Sequence, residues 1–255
     1  MNLAFQKYQG TGNDFVIIDN RELLWAPEVS HVSNICDRRF GVGADGLILI
    51  QDHTEYDFEM IYFNSDGSKS LCGNGSRCAI HFAKSLNIIS SRAKFLTTDG
   101  VHEARIDSDQ ISFQLFDVNE MKKIGDDLFI NTGSPHYIRF VQNVDQVNVF
   151  EQGRQIRNDP RFASDGTNVN FVEIMDQSTI CVRTYERGVE NETLSCGTGV
   201  TASAIAAQSK GLKSPIKIKT KGGNLEVSFK ANDSIYQDIW LKGPAVPVFS
   251  GTVSV

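Results

Sequence analysis

Apolar residues fall along this chain in two rhythms. Short runs rich in Val, Ile, Phe and Tyr predict strands at 15–18, 47–50, 58–63 and 111–116, and again at 137–141, 170–175 and 179–185. Two other stretches keep a helical period. Residues 75–86 place Cys78, Ala79, Phe82, Ala83 and Leu86 on one face, and 199–208 is rich in alanine, which suits close packing. A further helix is predicted at 32–39. The runs do not alternate strand and helix regularly, so the pattern predicts an α+β fold and not a parallel doubly wound sheet.

The same signals occur twice. Thr11-Gly12-Asn13-Asp14-Phe15-Val16 has an echo in Thr132-Gly133-Ser134-Pro135-His136-Tyr137. Leu71-Cys72-Gly73-Asn74-Gly75 is matched by Ser195-Cys196-Gly197-Thr198-Gly199, and Thr98-Asp99-Gly100 by Thr220-Lys221-Gly222. The three offsets are 121, 124 and 122 residues, in the same order along the chain. Weak matches that share an order and an offset mark a duplication. The expected architecture is two pseudo-symmetric halves, 1–115 (with 245–255 returning to it) and 116–244. Each is drawn as a mostly antiparallel sheet wrapped around a central helix, with an active-site cleft between them.

Composition narrows the function. With 255 residues and 40% hydrophobic content, the chain can bury a sizeable core. A net charge of −6 and the lack of any Lys/Arg run argue against nucleic acid as a partner, because phosphate binding draws on basic surplus. No stretch of about 20 apolar residues suggests a membrane span, and the first residues do not read as a signal peptide. A cytoplasmic protein is expected. Its five cysteines (Cys36, Cys72, Cys78, Cys181, Cys196) are odd in number and irregular in spacing, which suits neither a disulfide framework nor a zinc ribbon.

Cys72 and Cys196 stand apart from the other three. Each lies in Cys-Gly-x-Gly where a helix is expected to begin, in its first turn. Unpaired N–H groups and the positive end of the helix dipole stabilise an anion there, which should draw the thiol pKa toward neutrality. The glycines permit a ligand close approach to the backbone. Two such thiols in a duplicated fold can do one of two things: close a disulfide, or act as acid and base on either side of a substrate carbon. In the second case the helix N–H groups would also hold the substrate carboxylate and the charge that builds on it. Cys36, Cys78 and Cys181 lack flanking glycines and read as core.

Other motifs lead nowhere. Residues 41–46 (GVGADG) match G-x-G-x-x-G, but a helix precedes them and a strand follows, the reverse of a dinucleotide fingerprint, so they read as a turn. The five histidines show no metal-ligand spacing and no G-x-S-x-G elbow occurs.

A set of motifs in order carries a resemblance: GTGNDF at 10–15, FGVGADG at 40–46, FNSDG at 63–67, CGNGSR at 72–77, NVNF at 168–171, ERG at 186–188, ETLSCGTG at 192–199 and Gly243-Pro244-Ala245. Over essentially its full length the sequence resembles the diaminopimelate epimerases of bacterial lysine and cell-wall synthesis. The resemblance implies interconversion of LL- and meso-diaminopimelate with no cofactor and no metal. Its acid and base fall on Cys72 and Cys196, and its α-carboxylate-binding amides on Gly73 and Asn74 and on Gly197 and Thr198. Residues that hold the distal end of the substrate fall on Asn13, Asn64, Asn168, Glu186 and Arg187, with His136 and Glu186 orienting the site. Ser134 stands where many members have Asn, so its hydroxyl has less reach, and Gly46 stands where some members have Gln. The expected partners are a small amino-acid substrate and, as a homodimer, a second copy of the chain. A proline or hydroxyproline racemase of the same fold is the nearest rival, but proline has no distal charge for the Asn/Glu/Arg set to bind. A thiol–disulfide redox protein is the rival from another class.

Overall fold

The computed structural model describes residues 1–162, 165–232 and 235–255. The chain divides into two units, Met1–Phe113 with Gly243–Val255, and Gln114–Lys242. Among the described residues no helix is long and apolar enough to cross a membrane.

The first unit contains β1 (Asn2–Gly10), β2 (Asn13–Asp19), α1 (Val29–Cys36), β3 (Gly46–Gln51), β4 (Phe58–Asn64), α2 (Gly73–Ser85), β5 (Arg92–Thr97), β6 (Gly100–Asp107), most of β7 (Gln110–Leu115) and the C-terminal strand β17 (Val246–Ser254). Alternate residues of its strands serve two cores. Val16, Ile18, Leu47, Leu49 and Phe63 pack with Val32 and Ile35 of α1. Register puts Phe15, Ile48 and Tyr62 on the opposite face, where Phe15 and Ile48 pack beneath the first turn of α2 and Phe15 meets Tyr62 edge-on.

The second unit contains β8 (Met121–Ile124), β9 (Asp127–Asn131), β10 (Pro135–Phe140), α3 (Val149–Arg157), β11 (Asn168–Ile174), β12 (Thr179–Glu186), β13 (Asn191–Thr193), α4 (Gly197–Gln208), β14 (Ile216–Thr220), β15 (Gly223–Asn232) and most of β16 (Ile235–Pro244). Tyr137, Val169, Phe171 and Tyr185 pack with Val149 and Ile156 of α3. The other face lies against α4, which is buried on every side from Gly197 to Ala207.

Pairing in the two units follows one scheme. In the first, the order β17-β1-β2-β3-β4-β5-β6-β7 is antiparallel except at β2–β3 and β4–β5. In the second, β8-β9-β10-β11-β12-β14-β15-β16 is antiparallel except at β10–β11 and β12–β14, which occupy the same places in the order. The fold is α+β, mostly antiparallel, and duplicated, with one central helix per copy.

Two helices differ from the sequence expectation. The helix expected at 32–39 lies three residues earlier. A reciprocal capping box between Glu28 and His31 starts it, and Asp37 ends it, its carboxylate accepting the N–H groups of Arg39 and Phe40 at 2.7 Å each. Helix α3 was not expected at all. Gly153 interrupts its sequence pattern because a side chain there would collide with Tyr185, 2.4 Å from the position a Cβ would take.

Candidate active site

Cys72 and Cys196 are the N-cap residues of α2 and α4, one position before the first turn in which the sequence reading placed them. Their backbones are nearly identical, φ −127° and ψ 112° at Cys72, φ −119° and ψ 115° at Cys196. At an N-cap the side chain meets the unpaired N–H groups of the helix directly, and Cys72 Sγ accepts from Gly75 N–H at 3.4 Å. All five cysteines are free thiols. Cys36 and Cys78 are buried and Cys181 half-buried. Burial pushes all three thiols up in pKa, Cys36 to about 11.

Around Cys72 the first unit collects Asn13, Asn74 and Gly73. Asn13 Oδ1 lies 3.5 Å from Cys72 Sγ and accepts from Asn74 Nδ2 at 3.3 Å. Its other end donates to Asp45 Oδ2 at 2.6 Å, which fixes the amide with its oxygen toward the sulfur. Asp45, in the turn at 41–46, is held by Arg38 at 2.7 Å. Arg38 also pairs with Asp14 at 2.6 Å, as does the buried Lys7. Burial alone would raise the Asp14 carboxyl; the hydrogen bonds from Arg38 and Lys7 outweigh it and bring the pKa to about 2. Asn64 is not drawn into this group. Its amide nitrogen serves its own turn, donating to Ser68 O, Ser68 Oγ and Ser70 Oγ at 3.0–3.2 Å.

Around Cys196 the second unit collects Thr198 and His136, with Asn168 beside His136 in register and Arg187 hydrogen-bonded to Asn168. Register aligns His136 with Asn168, Ile138 with Asn170, and Asn170 with Thr184. His136, Asn168, Asn170 and Thr184 therefore share the face that packs on α4. His136 is fully buried, and burial, reinforced by the Arg187 charge, brings its pKa to about 3. The ring is neutral at working pH. Asn170 Nδ2 donates to His136 Nδ1 at 3.2 Å and to Tyr137 O at 3.2 Å, while Asn170 Oδ1 accepts from Thr184 at 2.9 Å. An amide nitrogen only donates, so Nδ1 is the acceptor and the ring proton sits on Nε2. Nε2 lies 3.0 Å from Thr198 Oγ1, and that hydroxyl lies 3.6 Å from Cys196 Sγ. With an acceptor site taken by histidine, the Thr198 hydroxyl has its proton to give to sulfur. Asn168 accepts from Arg187 N at 2.9 Å and donates to Pro135 O at 3.0 Å, while Arg187 Nη1 reaches Asp165 O at 3.4 Å. Glu186 closes β12 immediately before. Ser134 lies in the turn before β10, its carbonyl accepting from Thr132 N at 3.1 Å.

Asn170, Thr184, Asp45 and Arg77 were not picked out by sequence. The signal for Asn170 was present: two asparagines at i and i+2 in a strand share a face, so an argument placing Asn168 in the site extends to Asn170. The repeat also aligns the copies here. Positions occupied by Phe15, Ile48 and Tyr62 under α2 are occupied by His136, Asn170 and Thr184 under α4. The bed of the helix is apolar in one copy and hydrogen-bonded in the other.

The chain is thus a doubled α+β unit with a thiol at the start of the central helix in each copy. The sequence profile of diaminopimelate epimerase matches residues 5–122 and 128–246. A diaminopimelate epimerase of Flavobacterium psychrophilum is 48% identical over 256 residues, covering 98% of this chain and 100% of that one. The chain belongs to the diaminopimelate epimerase family. Solved structures share its fold at low identity. The Bacillus anthracis phenazine biosynthesis protein of the PhzF family matches with a TM-score of 0.79 at 14% identity over 100% of both chains. A probable proline racemase from Agrobacterium radiobacter K84 matches with a TM-score of 0.74 at 12% identity, over 99% of this chain and 93% of that one. These last two likenesses are of fold alone.

Proposed function

We propose that Cys72 and Cys196 are the base and acid that interconvert LL- and meso-diaminopimelate, with no cofactor involved. One thiolate removes the α-proton, leaving the electron pair delocalised into the carboxylate, and the other thiol delivers its proton to the opposite face. One proton enters and one leaves, so the two sulfurs end with their charges exchanged. The observation that carries this reading is the placement of a thiol at the N-cap of the central helix in both copies of a duplicated unit.

The α-proton of an amino acid is a very weak acid, so the carbanion needs strong, preorganised electrostatic support. The N–H groups of Gly73 and Asn74, and of Gly197 and Thr198, supply it from the first turns of the two helices. Asn13, which the resemblance assigned to the distal end, has its oxygen toward Cys72 and is assigned here to the reacting end instead. Asn64, Asn168, Glu186, Arg187 and Ser134 are assigned to the distal amino-carboxylate end. His136 orients Thr198 toward Cys196. The reading also carries a cytoplasmic, homodimeric enzyme of lysine precursor synthesis, whose assembly sedimentation checks.

The test is incubation with LL-diaminopimelate in deuterated water, following label uptake and product stereochemistry. Wild type yields meso product carrying one deuterium at the inverted carbon. Cys72→Ala and Cys196→Ala each abolish inversion in both directions; near-normal turnover by either variant removes that cysteine from the mechanism.

A further inference from the structure

Arg77 lies on α2 five residues beyond Cys72, and none of its surface reaches solvent. Among the described residues, its hydrogen bonds all run to neutral oxygens. Nε donates to Pro244 O at 3.2 Å and Nη1 to Gly73 O at 3.3 Å. Nη2 donates to Thr11 Oγ1 at 3.2 Å and to Asn74 Oδ1 at 3.0 Å. No carboxylate is among these partners. Burial draws the guanidinium pKa down only to about 10, so it remains a cation at neutral pH. A buried charge without a counter-charge is a standing penalty, relieved when an anion forms beside it.

Among the described residues, the ionisable side chains that act on Arg77 are Cys78 and Cys72. Burial pushes the Cys78 thiol far up, which keeps it neutral. The other charges nearby are engaged elsewhere. Helix α2 packs on β1, β2, β3 and β4. Lys7 and Asp14, on β1 and β2, pair with each other, and β3 carries no charged residue. On β4, Glu59 alternates with the residues facing α2, and Asp45, reached through Asn13, is held by Arg38. We propose that Arg77 is the fixed counter-charge of the Cys72 thiolate, a positioning residue that makes Cys72 able to serve as base as well as acid. The proposal rests on the acid–base reading of Cys72.

A thiol that must hold a proton in one direction and lack it in the other needs both charge states within reach. Asn13 Oδ1, locked by Asp45, favours the S–H form, whereas Gly75 N–H and the Arg77 charge favour the thiolate. The second copy is built differently at this position. The position equivalent to Arg77 is Thr201, whose hydroxyl donates to Gly197 O at 2.9 Å, and the Thr198 hydroxyl lies 3.6 Å from Cys196 Sγ.

The experiment measures the rate of iodoacetamide alkylation at Cys72 against pH, read by peptide mass spectrometry in a Cys196→Ser background. Arg77→Met is expected to raise the midpoint by about one pH unit or more, an alkylation roughly tenfold slower at a fixed pH below it. Arg77→Lys, which keeps the charge, should recover most of the shift. An unchanged midpoint in an Arg77→Met protein with native near-ultraviolet circular dichroism overturns the proposal. A measurement that leaves Arg77 intact covers the case in which that variant does not fold. The Arg77 Nε–H resonance should titrate with the Cys72 midpoint in the Cys196→Ser protein and lose that titration when Cys72→Ser is added. A resonance that stays flat through the midpoint likewise overturns it. Alkylation does not require turnover, so if Cys72→Ala kept its activity the acid–base reading would fail while the counter-charge result stood or fell separately.

Discussion

At the scale of single residues, the two thiols have unlike neighbours. Cys72 meets a locked amide oxygen at 3.5 Å, and Cys196 meets a hydroxyl whose orientation is set by a neutral imidazole. A hydrogen bond to a charged group contributes about 1.5–3 kcal/mol, so Thr198→Val should lower kcat by roughly 10- to 100-fold, with Thr198→Ser restoring most of it. Turnover within twofold of wild type in the valine variant would show that the hydroxyl does not serve Cys196. Asn170→Asp tests the imidazole directly. A carboxylate facing Nδ1 should draw the ring proton there, and 15N shifts of His136 should report the exchange of tautomer; an unchanged Nε2–H form would mean that Asn170 does not set it. Sequence supplied Asn13 and Thr198, which meet these sulfurs, and Asn74, which donates to Asn13. It did not supply Asp45 or Thr184, because their contacts join segments distant in the chain, which residue type alone does not reveal; Asn170, two residues from Asn168 on the same strand face, was within its reach. Arg77 was hidden for another reason: an arginine in a helix is ordinarily solvated.

At the scale of elements, continuous apolar runs revealed β2, β3, β4 and β12, and period revealed α2 and α4. Strands such as β14, where lysine alternates with isoleucine and only every second residue is buried, gave too short a pattern to stand out, as did β8 and β9. Burial of polar groups within these elements has measurable consequences. The His136 ring on β10 holds a pKa near 3 against its ordinary 6.5, so the unfolded chain binds a proton that the folded one refuses. Stability is then complete above about pH 6.5 and declines below it, by about 2 kcal/mol between pH 6.5 and 5. Urea unfolding across that range should show the decline, with a shallower slope in His136→Gln; His81, whose pKa is also lowered by burial, accounts for a remainder. Equal slopes in both proteins would mean that His136 is protonated in the fold. The helix beds differ in the same way. A Cβ at Gly199 would lie 2.5 Å from Asn170 Oδ1, whereas one at Gly75 would first meet the Ile48 methyl at 3.3 Å. Gly199→Ala should therefore cost about 1–3 kcal/mol, seen as a fall in Tm of several degrees, and Gly75→Ala distinctly less. Equal losses would mean that the hydrogen-bonded bed yields as easily as the apolar one.

At the scale of the whole molecule, duplication gave each copy the same order of parallel and antiparallel pairs and the same N-cap thiol, and divergence then changed what surrounds the sulfur. The offsets of 121 to 124 residues made the repeat legible, but not the change of chemistry at matched positions, where Phe15, Ile48 and Tyr62 answer to His136, Asn170 and Thr184. Such unlike copies suit a reaction whose two directions are chemically unlike, since LL- and meso-diaminopimelate present the reacting hydrogen on opposite faces. In the proposed mechanism each sulfur is the base for one epimer only. A cysteine-to-serine variant retains one competent thiolate, which can remove a proton and return deuterium from solvent to the same face without inversion. Cys72→Ser and Cys196→Ser should therefore each wash out the α-hydrogen of just one epimer, and the two variants should select opposite ones. Proton NMR of both epimers in deuterated water reads this directly. Exchange of the same epimer by both variants would mean that one sulfur serves both faces, and the division of labour between the copies would have to be abandoned.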